Sequence, residues 1–457
     1  MSQRISNKAY QSYPEYKNSG LEWYSKIPLD WMCRRLKFGI EKVESGTSVN
    51  AVDTPAENGQ VGILKTSSVY TGVFRVSENK AVLDTELTRV TCPVRKGCLI
   101  VSRMNTPDLV GAAGLVKEDS KNVYLPDRLW QVHFTDMSPV FVHYWTLTPE
   151  YRNQVRLVCS GTSSSMQNLS QDQFGSFWIS VPQLDEQRTI AAFLDYETAR
   201  IDSLIDKQQR LIELLKEKRQ AVISHAITKG LNPDVPMKDS GVEWLGQVPE
   251  HWVVKSYRYA CKIYRGKFGH RPRNDPAFYD GEYPFIQTGD VARAGKFITS
   301  YSQTLNEKGK AVSQLFPVGT LMMAIAANVG DTAILGFEAY APDSVVGFKP
   351  RENIELEFLR YSFMAALPAL EQTSTQSTQA NLNVDRIGAV KAVFPPLEQQ
   401  VAIVEYLDKI LERYDLIEKE CLNGISLMQE RRTALISAAV TGKIDLRGWT
   451  NPTEGSE

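Results

Sequence analysis

Lys17-Asn-Ser-Gly-Leu-Glu-Trp-Tyr-Ser-Lys-Ile-Pro-Leu-Asp-Trp31 returns 221 residues later, without a gap, as Lys238-Asp-Ser-Gly-Val-Glu-Trp-Leu-Gly-Gln-Val-Pro-Glu-His-Trp252. A second block, Val181-Pro-Gln-Leu-Asp-Glu-Gln187 followed by Phe193-Leu-Asp195, returns as Phe394-Pro-Pro-Leu-Glu-Gln-Gln400 followed by Tyr406-Leu-Asp408, at a spacing of 213. That spacing also carries Glu217, Arg219, Ala221, Ile223, Ser224, Ala226 and Thr228 onto Glu430, Arg432, Ala434, Ile436, Ser437, Ala439 and Thr441. The chain is an internal duplication, and such a repeat governs the reading of the whole fold. The spacing falls by eight residues between the two blocks, so the flanking blocks are constant and the region they enclose varies. Fainter echoes inside the variable parts, Lys96-Gly-Cys-Leu-Ile-Val101 with Val318-Gly-Thr-Leu-Met-Met323 and Tyr124-Leu-Pro-Asp127 with Tyr340-Ala-Pro-Asp343, indicate one domain fold used twice.

The constant element reads as a long helix. From Asp185 to Lys229 there is neither proline nor glycine, and Ile190, Leu194, Ile201, Leu204, Leu211, Leu215 and Val222 recur in steps of three, four or seven, widened by Ile205 and Ile212. That is helical periodicity. The second copy keeps the register with Ile403, Leu407, Ile410, Tyr414, Ile417, Met428 and Leu435. Pro182 and Pro395 open the two helices, acidic residues fill their first turns, and Gly230 and Gly442 mark the exits. A helix of about 40 residues spans roughly 60 Å. Neither copy can bury its stripe alone, so the two are expected to pair antiparallel about a pseudo-two-fold axis, with Gln208 and Gly424 as interruptions of the stripe. The fold class is α+β: two globular α/β domains, residues 1–180 and 233–394, each followed by a helical region, 181–232 and 395–446.

Composition excludes several classes. Of 457 residues 42% are hydrophobic and 23% charged, as in soluble globular proteins. No apolar run approaches the roughly 20 residues of a membrane span, and residues 1–16 have no apolar core of a secretory signal, so a cytoplasmic address is expected. The six cysteines include no C-x-x-C pair, which argues against a zinc site or a disulfide scaffold. Net charge is −1, so any nucleic-acid surface must be local.

Two copies of P-x-L-x-E/Q-Q leading into a long helix, and two copies of S-G-x-E-W-x-x-x-x-P-x-x-W opening a variable domain, resemble the specificity subunit of type I restriction-modification enzymes. The likeness covers nearly the whole chain. It implies that each variable domain reads one half of a bipartite double-stranded DNA target, that the helices set the distance between halves, and that two modification subunits dock on the conserved helices. It implies restriction subunits as further partners, and places S-adenosylmethionine, ATP and Mg²⁺ in those partners, with no catalytic residue, cofactor or metal in this chain. Candidate DNA contacts are Lys65, Arg75, Arg103 and Asn105 in the first domain, and Arg265, Lys267, Arg271, Arg273, Arg293 and Asn328 in the second. The polar stretches Gly161–Asn168 and Thr373–Asn381 add Ser163, Gln167, Gln376 and Gln379. Arginine suits guanine or phosphate, and amides suit adenine. Trp23, Trp31, Trp244 and Trp252 sit in the duplicated frame and are expected to be structural anchors.

No Asn/Asp-Pro-Pro-aromatic motif and no Walker-type G-x-x-x-x-G-K-S/T occurs, and the chain has five histidines, so methyl transfer and ATP chemistry lack material. One pattern resembles a metal-dependent nuclease: Pro107-Asp108 with Asp119-Ser-Lys121, two carboxylates and a lysine able in principle to hold Mg²⁺. Such a short pattern arises often by chance and has no counterpart near Asp331. A coiled-coil scaffold carrying two protein-binding modules is the other alternative.

Overall fold

The computed structural model describes residues 10–163, 166–327, 329–372 and 382–452, with only the backbone described for the strand Ser160–Ser163. The chain divides into two compact units: one runs to Gln208 and resumes at Asn423, and the other is Gln209–Leu422. The divisions fall inside the two long helices, Leu184–Lys229 and Leu397–Val440, beside the interruptions at Gln208 and Gly424. Each helix therefore gives one half to each unit.

The first unit is built on an antiparallel sheet in the order Ala113–Leu115, Leu99–Ser102, Leu129–Phe134, Ile40–Ser45. The second repeats the order with Thr332–Leu335, Leu321–Ala324, Val345–Pro350 and Cys261–Arg265, adding Phe297–Ile298 at the edge. Alternation along the central strand feeds two cores at once. Leu99 and Val101 enter the core that holds Trp31 and Trp145, while Ile100 enters a smaller one with Leu64 and Val69. In the second unit Leu321 and Met323 join the core of Trp252 and Phe358, and Met322 joins Ile286 and Phe316. The echo between Lys96–Val101 and Val318–Met323 is thus the same strand with the same two faces.

In the first unit Ile190, Leu194, Ile201 and Ile205 of the first long helix share a core with Leu435, Ile436, Ala439 and Val440 of the second. In the other unit Ile223 and Ile227 share one with Ile403, Leu407 and Leu411. The start of each helix meets the end of the other, which is antiparallel pairing in both units. Ion pairs repeat the relation: Arg432 reaches Asp202 at 2.9 Å, and Arg219 binds Asp415. Arg219 and Arg432 are 213 residues apart, as are Asp202 and Asp415, so the same contact is made once in each unit with the partners exchanged. These pairs are solvent-facing and worth under about 1 kcal/mol each; the apolar residues carry the pairing. The expected stripe needs one correction. Leu204, Leu211 and Ile417 are 45%, 40% and 41% exposed, while Ile205, Ile212 and Leu411 are buried. A nearly straight helix drifts against a seven-residue repeat, so the buried line steps over by one residue in mid-helix.

The two duplicated motifs turn out to be wired to each other. Trp31 donates its indole N–H to Glu186 at 3.2 Å, and Trp252 donates to Gln399 at 2.8 Å. Next in each motif, the buried Gln187 accepts from the backbone N–H of Ser138 at 2.8 Å and donates to the carbonyl of Pro182; Gln400 accepts from Glu355 N–H at 2.8 Å and donates to Asn353 and Pro395. Ser138 and Glu355 immediately precede the helices Pro139–Thr146 and Leu356–Gln372, so each glutamine ties a domain helix to a long helix while satisfying an N–H left open at the helix start. Further on, Asp195 accepts from Tyr144 at 2.9 Å and Asp408 from Tyr361 at 2.6 Å. The exit glycines close the frame: Gly230 and Gly442 have φ of +79° and +74° and lie against the Trp252 and Trp31 rings, each in its own unit. Trp31 and Trp252 are buried, and the Trp244 indole donates to the Lys391 carbonyl at 3.0 Å. All of these are frame contacts.

Candidate nucleic-acid interface

In the first domain a three-stranded sheet joins Ser160–Ser163, Met166–Asn168 and Met104–Asn105. It brings four expected residues together. Gln167 lies opposite Asn105, Asn168 opposite Met104, and Ser163 opposite Met166, with Arg103 directly before the edge strand Met104–Asn105. The Asn105 amide is already engaged, donating to Tyr70 Oη at 2.9 Å and to Ser102 Oγ at 3.3 Å. Tyr70 in turn bonds Thr66 at 2.7 Å, and Thr66 opens the helical turn after Lys65. Asn105 therefore fixes the Lys65 turn beside the sheet and is held inside it. Arg103 lies with its guanidinium 5.9 Å from the Trp130 ring centre. Its Nε, and the Asn168 Oδ1, are buried with no partner among the described residues, which is costly for a charged group in a folded chain unless something else engages it. Lys65 shares Asp53 with Lys80 at 3.2 and 3.1 Å; hydrogen bonds from Lys80 and Lys65 hold the Asp53 carboxyl below its ordinary range. Arg75 is exposed, its backbone N–H bonded to Ser68 in the same turn.

In the second domain Arg265 ends a sheet strand and Lys267 follows it, both exposed. Gly266 between them is obligatory, because a Cβ there would sit 1.9 Å from the Pro342 carbonyl. Arg271 and Arg273 share Asp343 at 3.4 and 2.6 Å. Arg271 also donates to the carbonyls of Phe268 and His270, so it fastens its own loop, whereas Arg273 has no second anchor of that kind among the described residues. Arg293 is paired with the buried Asp290 on its own helical turn. Asn328, Gln376 and Gln379 lie outside the described residues. The nuclease-like residues do not assemble: Asp108 stands 3.8 Å from Arg156, Asp119 accepts from the backbone N–H of Lys96 at 3.2 Å, and no group of three or more His, Cys, Asp or Glu able to hold a metal occurs among the described residues.

Sequence reasoning missed Gln287 and Gln303. Their amides are hydrogen-bonded to each other and line a cleft of about 450 Å³ with Arg273 and Asn274. The signal was present: Phe285-Ile286-Gln287-Thr288 echoes Ile63-Leu64-Lys65-Thr66 at a spacing of 222, within the spacings of the repeat.

The family described as "Type I restriction modification DNA specificity domain" matches residues 28–214 and 249–426. The chain is 21% identical to the putative type I restriction enzyme MjaX specificity subunit of Methanocaldococcus jannaschii, over 92% of this chain and 95% of that protein. It is 20% identical to the EcoKI specificity subunit of Escherichia coli, over 66% of this chain and 65% of that protein. Among solved structures, one titled for complex assembly and conformational transition of the type I R-M system is similar, with a TM-score of 0.69 at 16% identity, over 92% of this chain and 99% of that one. The HsdS subunit from Thermoanaerobacter tengcongensis gives a TM-score of 0.53 at 18% identity, over 92% and 98%. These likenesses show the fold, and no described helix is long and apolar enough to cross a membrane. With both of its halves matched, this chain belongs to the type I restriction-modification DNA specificity family.

Proposed function

We propose that this chain reads an asymmetric, bipartite DNA target on behalf of a type I restriction-modification complex and performs no chemistry itself. The observation that carries the reading is the pairing of a constant frame with unlike faces. The Trp to Glu/Gln contact, the Gln187/Gln400 ties and the exchanged Arg to Asp pairs recur in both units, while Lys65 and Lys80 occupy the place that Gln287 and Gln303 take in the other domain. Two different readers on one repeated frame are suited to two different half-sites. Phosphate contacts from residues such as Arg273 supply affinity, and base-edge contacts supply sequence.

The long helices set the spacing between half-sites and offer the docking surface for two modification subunits, with restriction subunits joining through them. Exposed Leu211, Leu214, Leu416 and Leu422 on these helices fit that role, since they leave apolar surface for a partner to cover. S-adenosylmethionine, ATP and Mg²⁺ belong to those partners, and the assembly works on chromosomal DNA in the cytoplasm. A mobility-shift titration of this chain with its modification subunits tests the reading. Binding that depends on two separated half-sites supports it. Equal binding to all duplexes contradicts it, and no binding at any salt concentration favours a scaffold.

A further inference from the structure

We infer that Gln287 and Gln303 form a single base-reading unit in the second domain, and that it selects adenine. The inference rests on the reading of this chain as a DNA-recognition subunit. Gln287 directly follows the strand Tyr279–Phe285 and Ile286, and precedes the helical turn Thr288–Arg293. Its counterpart Lys65 follows Gly62–Leu64 and precedes the turn Thr66–Val69. Both strands run parallel to the partner that carries the Tyr124/Tyr340 echo, with Ile63 opposite Tyr124 and Phe285 opposite Tyr340. The two positions are the same place in the domain fold. A lysine stands there in one reader and an amide in the other, as expected of a position that differs between half-sites.

Gln303 lies opposite Phe285 on the antiparallel neighbouring strand, which puts the two amides side by side and hydrogen-bonded. Both line the cleft of about 450 Å³ and also a neighbouring cleft of about 380 Å³, and Asp280 is common to both clefts. Residues that line both clefts are reachable from either, and Gln287 and Asp280 are exposed, so a base edge can approach them. Two amides joined by one hydrogen bond keep three N–H groups and one unengaged carbonyl oxygen, whichever of them donates, so the pair can set a donor and an acceptor side by side. Adenine presents one acceptor and one donor on its major-groove edge, whereas guanine presents two acceptors. The pair therefore matches adenine. Asp280, which lines both clefts, disfavours a phosphate there, while Arg273 at the first cleft can take one.

The test is methylation mapping of DNA from cells carrying this chain with its modification subunits, for wild type and three variants. Gln287→Leu and Gln303→Leu should relax one adenine in one half-site, lowering discrimination there roughly ten-fold or more, with the other half-site unchanged. Gln303→Glu, which presents only acceptors, should shift that position toward cytosine. Fluorescence anisotropy with target and unrelated duplexes accompanies the mapping. Motifs unchanged at every position in all three variants overturn the inference. So does loss of binding to target and unrelated duplexes alike, because a base-reading group leaves the phosphate contacts in place. A wild-type complex with no bipartite motif would sink the underlying reading instead.

Discussion

Replacing Gln400 by leucine tests the frame on which both readers stand. The two side chains are similar in volume, so no cavity opens in the site, where Gln400 is fully buried. What is lost is polar. The Glu355 N–H, 2.8 Å from Gln400 Oε1, and the carbonyls of Asn353 and Pro395, 2.9 and 2.8 Å from Nε2, lose their partner. An orphaned buried N–H costs about 1–3 kcal/mol, and carbonyls, with two lone pairs, cost less. Gln400→Leu should therefore destabilise by about 3 kcal/mol. For a unit of this size that lowers the melting temperature by roughly 6–12 °C. Gln187→Leu removes one contact fewer, to Ser138 and Pro182 alone, and should cost less. Scanning calorimetry of the full chain measures both. A Gln400→Leu protein within about 0.5 kcal/mol of wild type, or a Gln187→Leu protein that loses more, would refute the assignment of these glutamines as ties.

Three further outcomes follow from the same geometry. Arg273→Ala should weaken DNA binding and lower the slope of log affinity against log salt by about one, while Arg271→Ala also loosens the Phe268 to His270 loop that its guanidinium holds; unchanged slopes for Arg273→Ala remove it from the phosphate contacts. Gly442→Ala places a Cβ 2.5 Å from Pro28 at a φ of +74° and should cost about 1–3 kcal/mol in urea titration, a loss that would be absent if the helix exit were free. Glu44 is held down to about 2, first by its hydrogen bond from Lys42 and then by His133 and Gln131. A carboxyl whose folded value is depressed contributes stability above its unfolded value, about 4.5, and loses it as pH falls toward 2. Wild type should thus exceed Glu44→Gln in stability at pH 7 and converge with it in acid; a gap independent of pH would contradict the contact.

The frame was legible because duplication exposes it: Trp31, Glu186, Gln187, Asp195, Gly230 and their second copies stand at fixed spacings, and fixed spacings are what sequence shows. Their bonding was not legible, since P-x-L-x-E/Q-Q reads as a helix opening and nothing in it says that Gln187 reaches Ser138. The mid-helix stripe was misplaced at Leu204 and Leu211 because a seven-residue repeat and a 3.6-residue turn drift apart over 46 residues. Among DNA-contact candidates, charge drew attention to Arg271 and Arg293, which the fold uses partly for its own loops. Gln287 and Gln303 are uncharged and 16 residues apart, so only strand pairing brings them together.

The central claim is that one frame carries two unlike readers. Methylation mapping of the wild-type complex tests it most directly. A single motif of two different half-sites separated by unspecified bases is the predicted result; a palindromic or contiguous motif would contradict it.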